Sequence, residues 1–142
     1  MDVEAMTRLF SFGCEMDGPI IFVYDFQNPI YARHGISFAL LSHLDGLGLI
    51  RFDVLGGFKK FGLPRHIKIE YYEQLLELHY EQESYNELAF GCVLLHQPGH
   101  ELAPLCRREG QFEIQQYLME QWMQMGIAIS SNINEKPKTN VA

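Results

Sequence analysis

The chain has 142 residues, 47% of them apolar and 20% charged, with ten Phe, seven Tyr, one Trp and a net charge of −7. This composition predicts one folded domain with its own core and excludes a disordered chain, which would be poor in aromatics. No apolar run reaches the roughly eighteen residues a membrane helix needs, and Met1-Asp2-Val3-Glu4-Ala5-Met6 has neither the basic start nor the apolar stretch of a signal peptide.

In chain order, residues 3–16 place Val3, Met6, Phe10 and Cys14 at helical spacing, and Gly18-Pro19 ends that helix. Residues 20–24 form a continuous apolar, β-branched run that predicts a buried strand. Pro29 is placed to open a short helix through His34. Ser37 predicts an N-cap, because its hydroxyl can accept an orphan N–H of the next helix. Phe38, Leu40, Leu41 and Leu44 then form an apolar stripe, and Gly46 and Gly48 predict the stop. Phe38, Leu41, Leu44, Leu49 and Ile50 are the expected core of this region.

Residues 49–54 predict a strand. Residues 56–64, Gly-Gly-Phe-Lys-Lys-Phe-Gly-Leu-Pro, predict a glycine-rich loop with Lys59 and Lys60 at its tip. Residues 66–72 predict a strand; around 75–80, Tyr72, Leu75, Leu76 and His79 fit a helix and Leu76, Leu78 and Tyr80 fit a strand, and the strand is favoured, as a hairpin turning at Glu73-Gln74, followed by a polar loop over 81–87 and a strand over 88–95. Pro98 is placed to open a helix that Pro104 cuts or kinks. Ile114, Tyr117, Leu118, Trp122 and Met125 make the clearest amphipathic helix of the chain, ended by Gly126. The expected organisation is a single domain over 1–129 with a flexible tail over 130–142. The order of elements predicts an α+β fold: a winged-helix-like domain with a small antiparallel sheet and C-terminal helices.

Several segments carry a resemblance. They are Pro19-Ile20-Ile21-Phe22, Ile30-Tyr31, Gly35-Ile36-Ser37-Phe38, Leu44-Asp45-Gly46-Leu47-Gly48-Leu49-Ile50, and the stretch over 91–103 that begins Gly91-Cys92-Val93-Leu94-Leu95-His96. Over about residues 5–125 the chain resembles the C-terminal part of an uncharacterised bacterial family, domain of unknown function 2806. That family has Leu-Thr where this chain has Leu95-His96. The resemblance implies a winged-helix-like fold and no particular activity. It also implies a stand-alone version of a module normally attached to a longer N-terminal region.

Charge is unevenly distributed. Residues 33–68 carry six basic groups and two acids, whereas residues 70–87 carry Glu70, Glu73, Glu77, Glu81, Glu83 and Glu87 with no Lys or Arg. Four tyrosines, Tyr71, Tyr72, Tyr80 and Tyr85, lie in the acidic run, and Tyr is a frequent interface anchor. No Gly-x-Ser-x-Gly elbow or phosphate loop is present. Cys14, Cys92 and Cys106 are odd in number and widely spaced, which predicts free buried thiols in a reducing cytoplasm. His96 and His100 have zinc-like spacing but no second ligand pair. No metal, cofactor or catalytic residue is therefore expected.

These readings predict a non-enzymatic protein-interaction module of a bacterial or mobile-element protein, acting in the cytoplasm. Glu70, Glu73, Glu77, Glu81, Glu83, Tyr80 and Tyr85 are its expected partner-binding residues. One alternative is a winged-helix nucleic-acid-binding protein using Arg33, His43, Arg51, Lys59, Lys60 and Arg65. The other is a small acidic inhibitor of the phage anti-CRISPR kind, which occupies a basic groove by mimicry.

Overall fold

The computed structural model describes residues 2–106 and 109–131. Helix α1 (Asp2–Phe10) buries Met6, Leu9 and Phe10. It stops well short of the 3–16 span its spacing predicts. Ser11 and Phe12 close its end by donating to the carbonyls of Arg8 and Leu9, and the chain enters β1 (Gly13–Glu15). This strand pairs antiparallel with β2 (Pro19–Ile21) in the register Gly13–Ile21. The cross-strand ladder wins over further helix here because Phe12 and Cys14 are buried either way.

Helix α2 (Pro29–Arg33) begins as expected at its proline, and the Asn28 side chain accepts the Ile30 N–H at 3.0 Å. Helix α3 (Phe38–Gly46) has the expected cap, Ser37 Oγ accepting the Leu40 N–H at 3.1 Å. Leu41, Leu44 and Ile50 are fully buried and Leu49 is half-buried. Phe38 departs from the expected core. It is 54% exposed and lies in a surface trio with Phe26 and Phe52, with ring centroids 5.4–5.8 Å apart. As the first residue of the helix it projects past the packed face.

After β3 (Ile50–Phe52) comes β4 (Phe58–Leu63), where the sequence predicts a loop. Lys59 and Lys60 therefore lie within a paired strand and not at a loop tip. The partner of β4 is β7 (Asn86–Gly91), far along the chain, and the pairing passes through register shifts. Long-range pairing of this kind leaves no local signal.

The hairpin of β5 (His66–Tyr71) and β6 (Gln74–His79) forms as predicted. Its turn is Tyr72–Glu73, one residue earlier than expected, with φ of 42° and 59°. The predicted strand over 88–95 is broken at Cys92 into β7 and β8 (Val93–Leu95), and β8 pairs with β3. Helix α4 (Gln97–Cys106) runs through Pro104. Helix α5 (Phe112–Gln124) matches its prediction, and β9 (Ala128–Ser131) pairs with β6. Ser130 and Ser131 thus belong to a strand and not to a tail; residues 132–142 lie outside the described residues.

The result is an α+β molecule. An antiparallel five-stranded sheet in the order β2-β1-β5-β6-β9 is accompanied by the ribbons β3-β8 and β4-β7. Helix α1 packs against α3 and α4, and α5 packs against β9. Trp122, fully buried, donates its indole N–H to Tyr24 Oη at 2.9 Å, and Tyr24 donates to the Ala89 carbonyl at 2.7 Å. This chain of bonds ties α5 to the β4-β7 ribbon. Among the described residues no helix is long and apolar enough to cross a membrane.

Candidate functional site: an acidic, tyrosine-walled groove

Strand pairing decides where the charged runs go, and it mixes them. Lys68 on β5 lies opposite Glu77 on β6. Lys59 Nζ is 3.1 Å from Glu87 Oε1 across the β4-β7 ribbon. Arg33 and His34, at the end of α2, both bind Glu113 in the first turn of α5, His34 at 3.1 Å. Hydrogen bonds from Arg33 first, and then from His34, hold the Glu113 carboxyl below the usual glutamate range. Arg51 lies over the Phe58 ring at 5.9 Å, and Arg65 donates to the Tyr80 carbonyl at 3.2 Å. His43 is exposed on α3. Lys60 and Lys68 line a groove of about 450 Å³ together with Glu15, Asp17 and Glu70. The basic residues of the nucleic-acid alternative are thus dispersed over α2, α3, β3, β4 and the turn after it, and most face a carboxylate, a ring or a carbonyl.

The acidic run is also divided. Glu70 and Glu73 stand at the turn end of the β5-β6 hairpin, and Glu77 lies mid-sheet. Glu81, Glu83 and Tyr85 are exposed on the loop at the opposite end of β6. Six extended residues separate the two ends by about 20 Å. Tyr80 is half-buried and donates to the Glu87 carbonyl at 3.0 Å. Burial, and then the Glu87 charge, push its hydroxyl up to about 12. Tyr80 therefore braces the loop and does not present a free hydroxyl. Tyr85 is 84% exposed.

The turn end is where a concave site forms. A groove of about 610 Å³, within the range of ligand-binding clefts, runs between the 70–74 segment and residues 109–115 at the start of α5. Its walls are positioned by two tyrosines. Tyr71 Oη donates to the Ser11 carbonyl at 2.8 Å and accepts the Gln111 N–H at 3.0 Å, which fixes the approach to α5. Tyr72 Oη donates to the Phe10 carbonyl at 2.6 Å, and the two rings meet edge to face at 4.9 Å. Gly110 lies so close that a Cβ there would stand 2.9 Å from Tyr72 Cβ. Phe112, 68% exposed, stands on the α5 side. Glu70, Glu73 and Glu109 supply three carboxylates. Arg107 and Arg108, just before Glu109 in sequence, lie outside the described residues.

Two features mark this groove as strained. Tyr72 and Glu73 both take positive φ in a two-residue turn that favours Asn-Gly, and a side chain in that region costs roughly 1–2 kcal/mol per residue. Gln74 Oε1 is closed off from water without a hydrogen-bond partner. Such residues cluster at binding sites. Of the groove residues, the sequence pointed to Glu70 and Glu73. It missed Glu109, Gly110, Gln111, Phe112 and Gln115, because only folding brings the α5 start to the hairpin turn.

All three cysteines are buried and outside any disulfide, and burial pushes the Cys92 thiol up to about 11. His96 is half-buried at the end of β8, where its N–H is held by the Leu49 carbonyl, and its carbonyl accepts the His100 N–H as the first bond of α4. Among the described residues no group of three His, Cys, Asp or Glu converges as a metal site. Comparison with protein-family models finds no match, and comparisons with curated proteins and with solved structures find none either.

Proposed function

We propose that the chain is a non-enzymatic protein-interaction module, and that its turn-end groove takes a basic segment of a partner protein. The carrying observation is the groove itself: three carboxylates around tyrosine walls, beside an exposed phenylalanine. Carboxylates favour a Lys- or Arg-bearing segment, and exposed Phe112 offers an aromatic face for its cation and stem and an apolar anchor. The dispersal and local pairing of the basic residues favours this reading over nucleic acid. The finer description is a winged-helix-like domain, supported by the order α1, the β1-β2 hairpin, α2, capped α3, β3, and by β3 closing on β8 beside β2. The bacterial or mobile-element setting rests on the quoted resemblance, and the cytoplasmic one on three cysteines outside any disulfide.

The test is selection of random peptides on the immobilised full chain. Basic peptides with a neighbouring apolar residue should be enriched. Their affinity should fall at least about tenfold with Glu70→Lys plus Glu73→Lys or with Phe112→Ala, and should weaken with salt. Capture indifferent to all three substitutions sinks the proposal. So does micromolar, steeply salt-dependent binding of mixed-sequence duplex DNA that is lost on changing Lys59, Lys60 and Arg65 to Glu.

A further inference from the structure

The outer face of the β5-β6 hairpin carries a second, independent constellation. In the register of the two strands, His66 lies directly opposite His79. Their Nδ1 atoms are 2.7 Å apart, with the rings nearly perpendicular at 70°. On the other side of the His79 ring, Nε2 is 2.8 Å from Ser130 Oγ on β9 and 3.8 Å from Glu77 Oε1. His66 is exposed, and His79 is half-buried with 28% of its side chain open to solvent.

We infer that His66 and His79 form a two-nitrogen chelate for a divalent transition-metal ion of cis square-planar or octahedral preference, Cu²⁺ or Ni²⁺. The first argument is tautomeric. An Nε2–H donated toward Ser130, with the Glu77 carboxylate beside it, leaves the Nδ1 of His79 as a lone pair aimed at His66. Metal-ligating histidines are oriented in the same way by a hydroxyl or carboxylate behind them. The second argument is geometric. Two nitrogens at about 2.0 Å from one ion stand about 2.8 Å apart at a right angle and about 3.3 Å apart at a tetrahedral one. The observed 2.7 Å is the separation of the right-angled case; to ligate, the two rings turn so that both lone pairs converge on the ion, and His66 carries its proton on Nε2 instead of Nδ1. A tetrahedral zinc would have to push the rings apart.

The protein supplies two ligands, so water or a ligand from outside fills the remaining positions. The flanking cations are accounted for: Arg65 is turned to the Tyr80 carbonyl, and Lys68 faces Glu77 across the pair.

The experiment uses the full chain titrated with Cu²⁺, Ni²⁺ or Zn²⁺ by calorimetry. In parallel, amide NMR signals are followed for paramagnetic broadening by Cu²⁺. One ion per chain is expected, with Cu²⁺ and Ni²⁺ both bound more tightly than Zn²⁺ and broadening centred on β5, β6 and the Ser130 end of β9. His66→Gln and His79→Gln should each lose the site, Ser130→Ala should weaken it about tenfold, and His96→Gln with His100→Gln should leave it intact. Broadening centred elsewhere, stoichiometric binding that survives His66→Gln, or tighter binding of Zn²⁺ than of Ni²⁺ would overturn the inference. Because His66 is exposed, His66→Gln should keep the far-ultraviolet dichroism of the parent. The NMR map of the unmodified chain decides the matter independently of them.

Discussion

Replacing Gly91 with Ala should be among the most damaging single changes available to this chain. Gly91 sits at φ 100°, where β7 gives way to β8 and where Val23 is wedged against the strand. Val23 donates to the Phe90 carbonyl at 3.1 Å and accepts the Cys92 N–H at 2.9 Å. A Cβ on residue 91 would lie 2.0 Å from the Val23 oxygen and 2.5 Å from its carbonyl carbon, and these are backbone atoms that cannot rotate aside. Relieving the overlap breaks both bonds, at about 1 kcal/mol each. Holding an alanine at positive φ adds roughly 1–2 kcal/mol. Displacing buried Val23, Phe90 and Cys92 adds more. A loss of about 3–5 kcal/mol is expected, a large share of the roughly 5–15 kcal/mol that a domain has. Urea unfolding followed through Trp122, the single tryptophan, reads this directly, since its indole bonds Tyr24 next to Val23. With a slope of roughly 2 kcal/mol/M the midpoint should fall by about 2 M. Gly46→Ala is the control: nothing lies within 4 Å of its added Cβ, and helix propensity predicts no loss or a gain of up to about 1 kcal/mol. A Gly91→Ala protein within about 1 kcal/mol of the parent, with the same slope, would refute the reasoning.

Leu41→Ala should cost ~2–5 kcal/mol in the same assay, whereas Phe38→Ala, at a half-exposed position, should cost clearly less; equal losses would contradict the observed core. The Glu113 carboxyl is held low by Arg33 and then His34, so its contribution to stability is present above the usual glutamate range and is lost as pH falls through its lowered value. Arg33→Met should raise the Glu113 midpoint in an NMR titration and flatten the acid-side loss, and an unmoved midpoint would exclude the pairing. The three thiols should resist a thiol-specific reagent at pH 8 in the folded chain and react fully in urea, Cys92 being pushed up to about 11 by burial. Rapid labelling of the native protein would show one of them to be exposed.

The features legible in the sequence are those written within a few residues. The Ser37 cap, the proline start of α2, the glycine end of α5, the stripe of Leu41 and Leu44, and the β5-β6 hairpin all follow from short-range spacing. In each, the hydrogen bond or packed face joins residues near in the chain. The tertiary structure decided everything that depends on which strand meets which. It turned the second half of the predicted first helix into β1, made a strand of the lysine-bearing loop, broke the 88–95 strand at Cys92, and joined residues 130 and 131 to the sheet. It also decided the functional surface. A run of six glutamates in sequence became two ends of a hairpin about 20 Å apart with a lysine opposite its middle. Phe112 and Glu109 arrived at the Tyr72 turn from a distant helix, and His66 met His79 across a strand pair. Charge and aromatic content are properties of a sequence. Their neighbours are set by β register, which is chosen by burial of the alternate face over the whole sheet and leaves no mark on any one segment.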